Sequence, residues 1–83
     1  MPDIVVIDSL VRRFPERARS IRRLQAKDAT FRAICEDYAE GLRALAYWQA
    51  ADRSCEQKAE EYRRLVEELE KEALEALKAY EGD

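Results

Sequence analysis

Residues 55–80 read CEQKAEEYRRLVEELEKEALEALKAY, and this stretch decides the fold. Its apolar side chains recur at alternating intervals of four and three residues, at Cys55, Ala59, Tyr62, Val66, Leu69, Ala73, Ala76 and Tyr80. This heptad spacing is typical of a helix that packs along one narrow stripe. The intervening residues are almost all Glu, Lys, Arg and Gln, which favour water. The pattern predicts a long helix over 54–81 that packs against another helix.

A second long helix is predicted over 29–50. Asp28 can cap its amino terminus, because an aspartate carboxylate accepts hydrogen bonds from amides two or three residues ahead. Apolar residues again recur at helical spacing and give the helix a wide buried face. These residues are Phe31, Ile34, Cys35, Tyr38, Leu42, Leu45 and Trp48. Gly41 lies within this face, which indicates either a close approach by another backbone or a tolerated glycine.

The two long helices are predicted to form an antiparallel hairpin. The periodicity changes near Ala51, and Ser54 begins a capping-box pattern that could open the next helix. A reversal of the chain near Ala51 would place Tyr38 beside Val66. Because neither glycine nor proline marks the turn, one continuous helix over 29–81 is the alternative.

A short basic helix is predicted over 15–26. Pro15 and Glu16 are typical of a first helical turn, because proline suits that position and an acid complements the helix dipole. The preceding residues 1–13 are predicted to form a short helix or a partly ordered arm. The β-branched run from Ile4 to Ile7 also has strand propensity, so its helical state is open.

Together these elements predict an all-α fold, a coiled-coil-like antiparallel hairpin with a short amino-terminal basic helix. The chain has 83 residues, of which 40% are charged, and only two glycines and two prolines. This composition suits long solvated helices in one domain over 1–83. A domain of this size buries little apolar surface, so a homodimer or small homo-oligomer is predicted.

The apolar side chains predict a structural or adaptor module that binds a second copy or another protein. The two long helices alone cannot enclose all of the apolar side chains, so either the short basic helix or a second chain is expected to cover the rest. The predicted interaction residues are Ile4, Ile7, Leu10, Phe14, Leu65, Leu74 and Leu77. Attachment of residues 4–14 to a membrane surface is a further possibility.

Charge is unevenly distributed along the chain. The first 27 residues carry seven basic and three acidic groups, whereas the remaining residues carry eight basic and fifteen acidic groups. Pairing of the basic helix with the acidic last helix explains this asymmetry most simply. The alternative is a nucleic-acid-binding protein that uses the arginine-rich helix 12–27, with Arg19, Arg22 and Arg23 contacting phosphates. The net charge of −3 and the scarcity of aromatic residues near these arginines favour the first explanation.

Enzymatic activity is not expected from this sequence. It has no histidine, no phosphate-binding glycine loop and no activated nucleophile. Two cysteines without histidine also make common zinc sites unattainable, and no metal or cofactor is expected. The hairpin would hold Cys35 and Cys55 about 20 Å apart, too far for a disulfide. No apolar run is long enough to span a bilayer, and no signal peptide is recognisable, so a cytoplasmic location is expected.

The spacing of several residues resembles the YdcH-like family of small bacterial proteins of unknown function. The likeness covers about residues 14–80. It includes Phe14-Pro15, Ile21, Leu24, Phe31, Ile34 and Leu45, followed by a charged helix with Leu65, Leu69 and Leu77. The resemblance implies a cytoplasmic helical hairpin without an assigned activity. Trp48, the segment 35–38 and a turn without glycine depart from that family.

Overall fold

A computed structural model describes residues 2–51 and 53–82, and the side chains of 7–51 and 54–82. The prediction of an all-α fold is confirmed within these residues, which contain no strand. The four α-helices are α1 (Pro2–Arg13), α2 (Ala18–Lys27), α3 (Ala29–Ala50) and α4 (Glu56–Gly82). Short 3₁₀ turns at Pro15–Arg17 and Arg53–Cys55 precede α2 and α4.

Helices α3 and α4 form the helical hairpin on which the rest of the chain is built. The molecule is 46 Å long, which reflects the length of α4, since its 27 residues span about 40 Å at 1.5 Å per residue. Helix α1 packs mainly against α3, and α2 contacts both α3 and α4. The sequence left the state of residues 1–13 open, and the structure has them as helix over Pro2–Arg13.

Helix α2 crosses the open end of the hairpin. Near its start, Arg17 forms an ion pair with Glu81 in the last turn of α4. At its end, the Lys27 ammonium lies 5.6 Å from the centre of the Tyr80 ring. Both ends of α2 are therefore tied to the carboxyl-terminal turns of α4.

The hydrophobic core lies between α1, α2 and the half of the hairpin that they cover. Its buried members come from all four helices, and they are Ile7, Leu10, Phe14, Ile21, Leu24, Phe31, Cys35, Tyr38, Val66, Leu69, Ala73 and Leu77. Leu42, Leu45 and Leu74 are partly buried against it. One chain thus encloses most of its large apolar side chains without a second copy.

The connection between α2 and α3 is fixed by local hydrogen bonds. The Asp28 carboxylate accepts from the amides of Thr30 (2.9 Å) and Phe31 (3.2 Å), as an N-cap does. The Arg32 guanidinium donates twice to the Gln25 carbonyl, at 3.1 and 3.0 Å. These bonds satisfy backbone groups that the ends of the two helices would otherwise leave without partners.

The register of the hairpin differs from the sequence-based expectation by about one helical turn. Gly41, rather than Tyr38, faces Val66, because a Cβ atom at Gly41 would lie 3.2 Å from the Val66 Cγ2 atom. The reason lies in the connection, which includes a 3₁₀ turn and delays the start of α4 to Glu56. Gly41 therefore permits a close approach of α4 to α3.

A polar cluster joins three helices at the edge of the core. The Tyr38 hydroxyl of α3 donates to Glu70 Oε2 of α4 at 2.7 Å. The Arg13 Nε of α1 lies 3.2 Å from the same oxygen, and the Arg13 guanidinium lies 4.8 Å from the centre of the Phe14 ring. Burial, and then the hydrogen bond to the Glu70 carboxylate, raises the pKa of Tyr38 above its ordinary value.

Candidate functional site

A groove of about 330 Å³ lies between α3 and α4. It is lined by Asp37, Glu40, Gly41 and Ala44 of α3 and by Tyr62, Leu65 and Leu69 of α4. Glu70, which binds Arg13 of α1, follows Leu65 by five residues. At 3.6 residues per turn the two side chains point about 140° apart around α4. The groove therefore opens on a different side of the hairpin from α1.

Small residues on α3 and larger ones on α4 create the groove. Gly41 is buried and brings the helix axes close together, and Ala44 one turn later leaves space beside it. Leu69 is buried within the core cluster, whereas Leu65 is exposed. The groove thus has an apolar floor that belongs to the core and an apolar wall that faces solvent.

The described residues include two exposed large hydrophobic side chains, of which Leu65 lines this groove and Tyr47 lies beyond its end on α3. Leu65 is 45% exposed and lines the groove directly. Tyr47 is 67% exposed and follows Glu40 and Ala44 at helical spacing, so it extends the same face of α3 by one turn. Its ring packs edge to face against Trp48, with centroids 5.0 Å apart and planes at 89°. Exposed apolar side chains that cluster in this way mark interaction sites.

The rim of the groove is acidic. Asp37 and Glu40 are exposed, and neither forms an ion pair with the side chains that the structure describes. Their carboxylates are one helical turn apart on α3. They present two negative charges beside the apolar wall of Leu65.

A basic face lies on α2, where the sequence places the alternative site. Arg19, Arg22 and Arg23 are exposed, while Ile21 and Leu24 of the same helix are buried. None of the three arginines pairs with a carboxylate among the described side chains. The expected pairing with α4 thus involves Arg13 and Arg17 and leaves this face exposed to solvent.

The Arg17 contact also affects the chemistry of Glu81. Hydrogen bonding by Ser20 is the largest effect on the pKa of Glu81 and lowers it; burial opposes this, and the contact with Arg17 adds to the lowering, so the pKa lies below its ordinary value. The carboxylate thus anchors the start of α2 at the carboxyl-terminal end of α4.

The seven predicted interaction residues do not form one surface. Ile7, Leu10, Phe14 and Leu77 are buried in the core of the single chain, where they contact its own helices. Leu74 is partly buried against that core, and Leu65 is the exposed member. Ile4 lies outside the described side chains. Helix α1 packs on α3, and α2 packs on both α3 and α4, which buries these positions within the single chain.

Sequence reasoning missed Asp37, Glu40 and Ala44, the residues of α3 that complete the groove, and Tyr47, which lies one turn beyond them. A signal was present in the sequence, because Gly41 interrupts an otherwise large apolar ridge. A glycine at that position indicates a close contact between helices. It does not reveal which side of that contact stays open.

A second depression, of about 380 Å³, lies at the tip of the hairpin. Its lining includes Trp48 and Ala59 together with Glu56, Glu60 and Arg63. The Lys58 ammonium lies 6.0 Å from the centre of the Trp48 ring. This depression is more polar than the groove and has no exposed aliphatic wall.

Cysteine and carboxylate side chains are the potential metal ligands of this chain, which has no histidine. Both thiols are free; Cys35 is buried and Cys55 is half-buried. Burial, and then the neighbouring Glu36, raises the pKa of Cys35 to about 12. Among the described residues, no three His, Cys, Asp or Glu side chains converge as metal ligands would.

No helix within the described residues is long and apolar enough to cross a membrane.

Comparisons of the chain with protein-family models, with curated proteins and with solved structures find no match.

Proposed function

We propose that this chain is a small protein-interaction module of adaptor type, which binds a partner through the groove between α3 and α4. The observation that carries the proposal is that the exposed side chain of Leu65 lines an apolar groove between α3 and α4, and that the exposed Tyr47 extends the α3 face of this groove by one turn. A partner that covers them would bury apolar area worth about 25 cal/mol per Å² before the costs of association. The module would act by binding and not by catalysis, in the cytoplasm.

The rigidity of the groove supports this role. The α3 side of the groove is held against α4 by the close approach of Gly41 to Val66, and the floor of the groove is Leu69 of the core. A surface built on packed helices needs little reordering when a partner binds, so less conformational entropy is lost. Aromatic side chains such as Tyr47 and Tyr62 are enriched among residues that dominate binding energy.

Self-association stays a prediction of this proposal. The residues expected to contact a second copy, such as Leu10 and Leu77, are buried within one chain. A dimer would therefore use surface that the single chain leaves exposed, and sedimentation equilibrium across a concentration series measures whether it forms. The resemblance to YdcH-like proteins likewise stays a proposal, and the hairpin of α3 and α4 agrees with the fold that it implies.

A photo-crosslinking experiment tests the proposed function. A photoreactive phenylalanine analogue replaces Leu65 in one variant and Glu75 in a matched control. Glu75 is also exposed on α4 but does not line the groove. We expect discrete adducts in cells from position 65 and none from position 75, and Tyr47→Lys should reduce them. Equal labelling from both positions, or none from either, would contradict the proposal.

The alternative is nucleic-acid binding through α2. It is favoured by one observation, the exposed face of Arg19, Arg22 and Arg23 without carboxylate partners among the described residues. Binding to labelled RNA and DNA should then weaken steeply with salt and be lost when the three arginines are changed to Glu. Absence of binding at about 50 mM salt eliminates this function.

A further inference from the structure

We infer that the occupant of the groove is a basic amphipathic α-helix from a different protein, with its apolar ridge on Leu65 and Tyr47 and its cationic residues beside Asp37 and Glu40. This inference rests on the proposed function and specifies its partner class. It follows from the shape, the charge and the symmetry properties of the groove.

The shape of the groove suits a helix. Its α3 wall extends from Asp37 to Ala44, a rise of about 10 Å, which corresponds to two turns of a bound helix. Two packed helices present a furrow into which the side-chain ridge of a third helix fits, as in helical bundles. A peptide that binds by strand addition would instead require an open sheet edge, and the described residues contain no strand.

The charge of the groove selects a cationic partner. Asp37 and Glu40 flank the apolar floor on the α3 side and have no cationic partner among the described side chains. In a helix whose ridge of Leu or Ile is flanked by Lys or Arg, the cationic side chains would pair with both carboxylates while the apolar side chains cover Leu65. Complementary charges at the rim accelerate association and penalise an acidic competitor.

A second copy of this chain fits the groove less well. In a two-fold symmetric dimer through this face, the same patch meets itself, so the interface would contain the acidic rims of both copies and no basic residue that lines the groove. The chain's own basic helix cannot serve as the occupant either, because Ile21 and Leu24 of α2 are already buried in the core. Neither arrangement brings an apolar ridge and positive charge together at the groove.

Fluorescence anisotropy with the full chain tests the partner class. The probe is a labelled peptide of about 18 residues, long enough to form a helix, with Leu at three- and four-residue spacing and Lys elsewhere. A peptide with Glu in place of every Lys is the matched competitor. We expect saturable binding of the Leu/Lys peptide and at least tenfold weaker binding of the Leu/Glu peptide.

Groove variants must then separate specific binding from general attraction to an acidic protein. The double variant D37N/E40Q should weaken Leu/Lys binding at least tenfold at low salt, and Leu65→Ser should weaken it also at about 1 M salt. The control E16Q/E75Q removes the same charge from exposed sites outside the groove and should bind like the parent. Circular dichroism establishes that each variant is folded.

Several results would overturn the inference. Equal weakening by D37N/E40Q and E16Q/E75Q would show that the peptide responds only to net charge. Equal binding of both peptides, or no binding of either, would reject a basic helix as the partner. A dimer that Leu65→Ser dissociates would make a second copy the occupant. In each case the crosslinking at position 65 still decides separately whether the groove binds protein at all.

Discussion

Removal of the Tyr38 hydroxyl probes the polar cluster that joins α1, α3 and α4. Tyr38 is 2% exposed, and its hydroxyl lies 2.7 Å from an oxygen of Glu70, whose side chain is 21% exposed. A hydrogen bond to a charged acceptor contributes about 1.5–3 kcal/mol to stability. Glu70 would keep its contact with Arg13, so we expect Tyr38→Phe to cost about 1.5 kcal/mol, at the lower end of that range.

Urea denaturation monitored by circular dichroism and by Trp48 fluorescence measures this loss. For a chain of this size, about 1.5 kcal/mol corresponds to a decrease in Tm of about 6–12 °C. Tyr47→Phe is the matched control, because Tyr47 is 67% exposed and such surface changes stay within about 0.5 kcal/mol. A cost below about 0.3 kcal/mol for Tyr38→Phe would refute the reasoning, since it would mean that water replaces the hydrogen bond without penalty.

Substitutions of Glu70 and Arg13 provide a second test of the same polar cluster. Glu70→Ala leaves the buried hydroxyl without its acceptor, so we expect it to cost more than Arg13→Ala, whose side chain is 53% exposed. A double-mutant cycle between Tyr38→Phe and Glu70→Ala should give a coupling of about 1 kcal/mol or more. Additive effects of the two changes would contradict a direct bond between these side chains.

Three further predictions concern the cysteines, the helix contact and the cap. At pH 8 a chromogenic thiol reagent should modify Cys55 alone in the native chain and both thiols in denaturant, because Cys35 is buried and its pKa is raised to about 12. Because the thiol has a pKa of 9.0 when unfolded and about 12 when folded, its contribution to the free energy of unfolding is complete well below pH 9 and is lost as the pH rises towards 12. Cys35→Ala should therefore lessen the decline in unfolding free energy between pH 8 and 10, and an equal decline in the variant and the parent would contradict this. Gly41→Ala should destabilise the fold by about 1 kcal/mol, because the new methyl would lie 3.2 Å from Val66 Cγ2 and this crowding outweighs a gain in helix propensity of about 1 kcal/mol. In a Val66→Ala background the same change should stabilise the fold. If Gly41→Ala changes the unfolding free energy in the same direction in both backgrounds, the contact is refuted. Asp28→Ala should cost about 1 kcal/mol in urea denaturation and Asp28→Asn much less, whereas equal costs would mean that the charge and not the cap matters.

The helical elements of the fold could be read from local patterns. The second helix was predicted over 29–50, and α3 occupies Ala29–Ala50. The carboxylate of Asp28 makes the two amide contacts expected of an N-cap. Such features depend on the side chains within one or two turns, so the sequence contains the information directly.

The candidate site was less accessible to sequence reasoning. Leu65 was predicted to be an interaction residue and is exposed at the groove, whereas Leu10 and Leu77 were assigned the same role and are buried. All three are leucines on amphipathic helices, and their local patterns do not distinguish them. Only the packing of α1 and α2 decides which of them another part of the chain covers.

The sequence by itself determined that the chain is helical, where its long helices lie and which charges each carries, because heptad spacing, caps and composition act over a few residues. The tertiary structure decided the register of the hairpin, the burial of Ile7 and Phe14, and the open side on which Leu65, Asp37 and Glu40 meet. These depend on the length of the turn before Glu56 and on how α1 docks. Both are properties of contacts between residues far apart in sequence, where many arrangements satisfy the same local pattern and packing selects one.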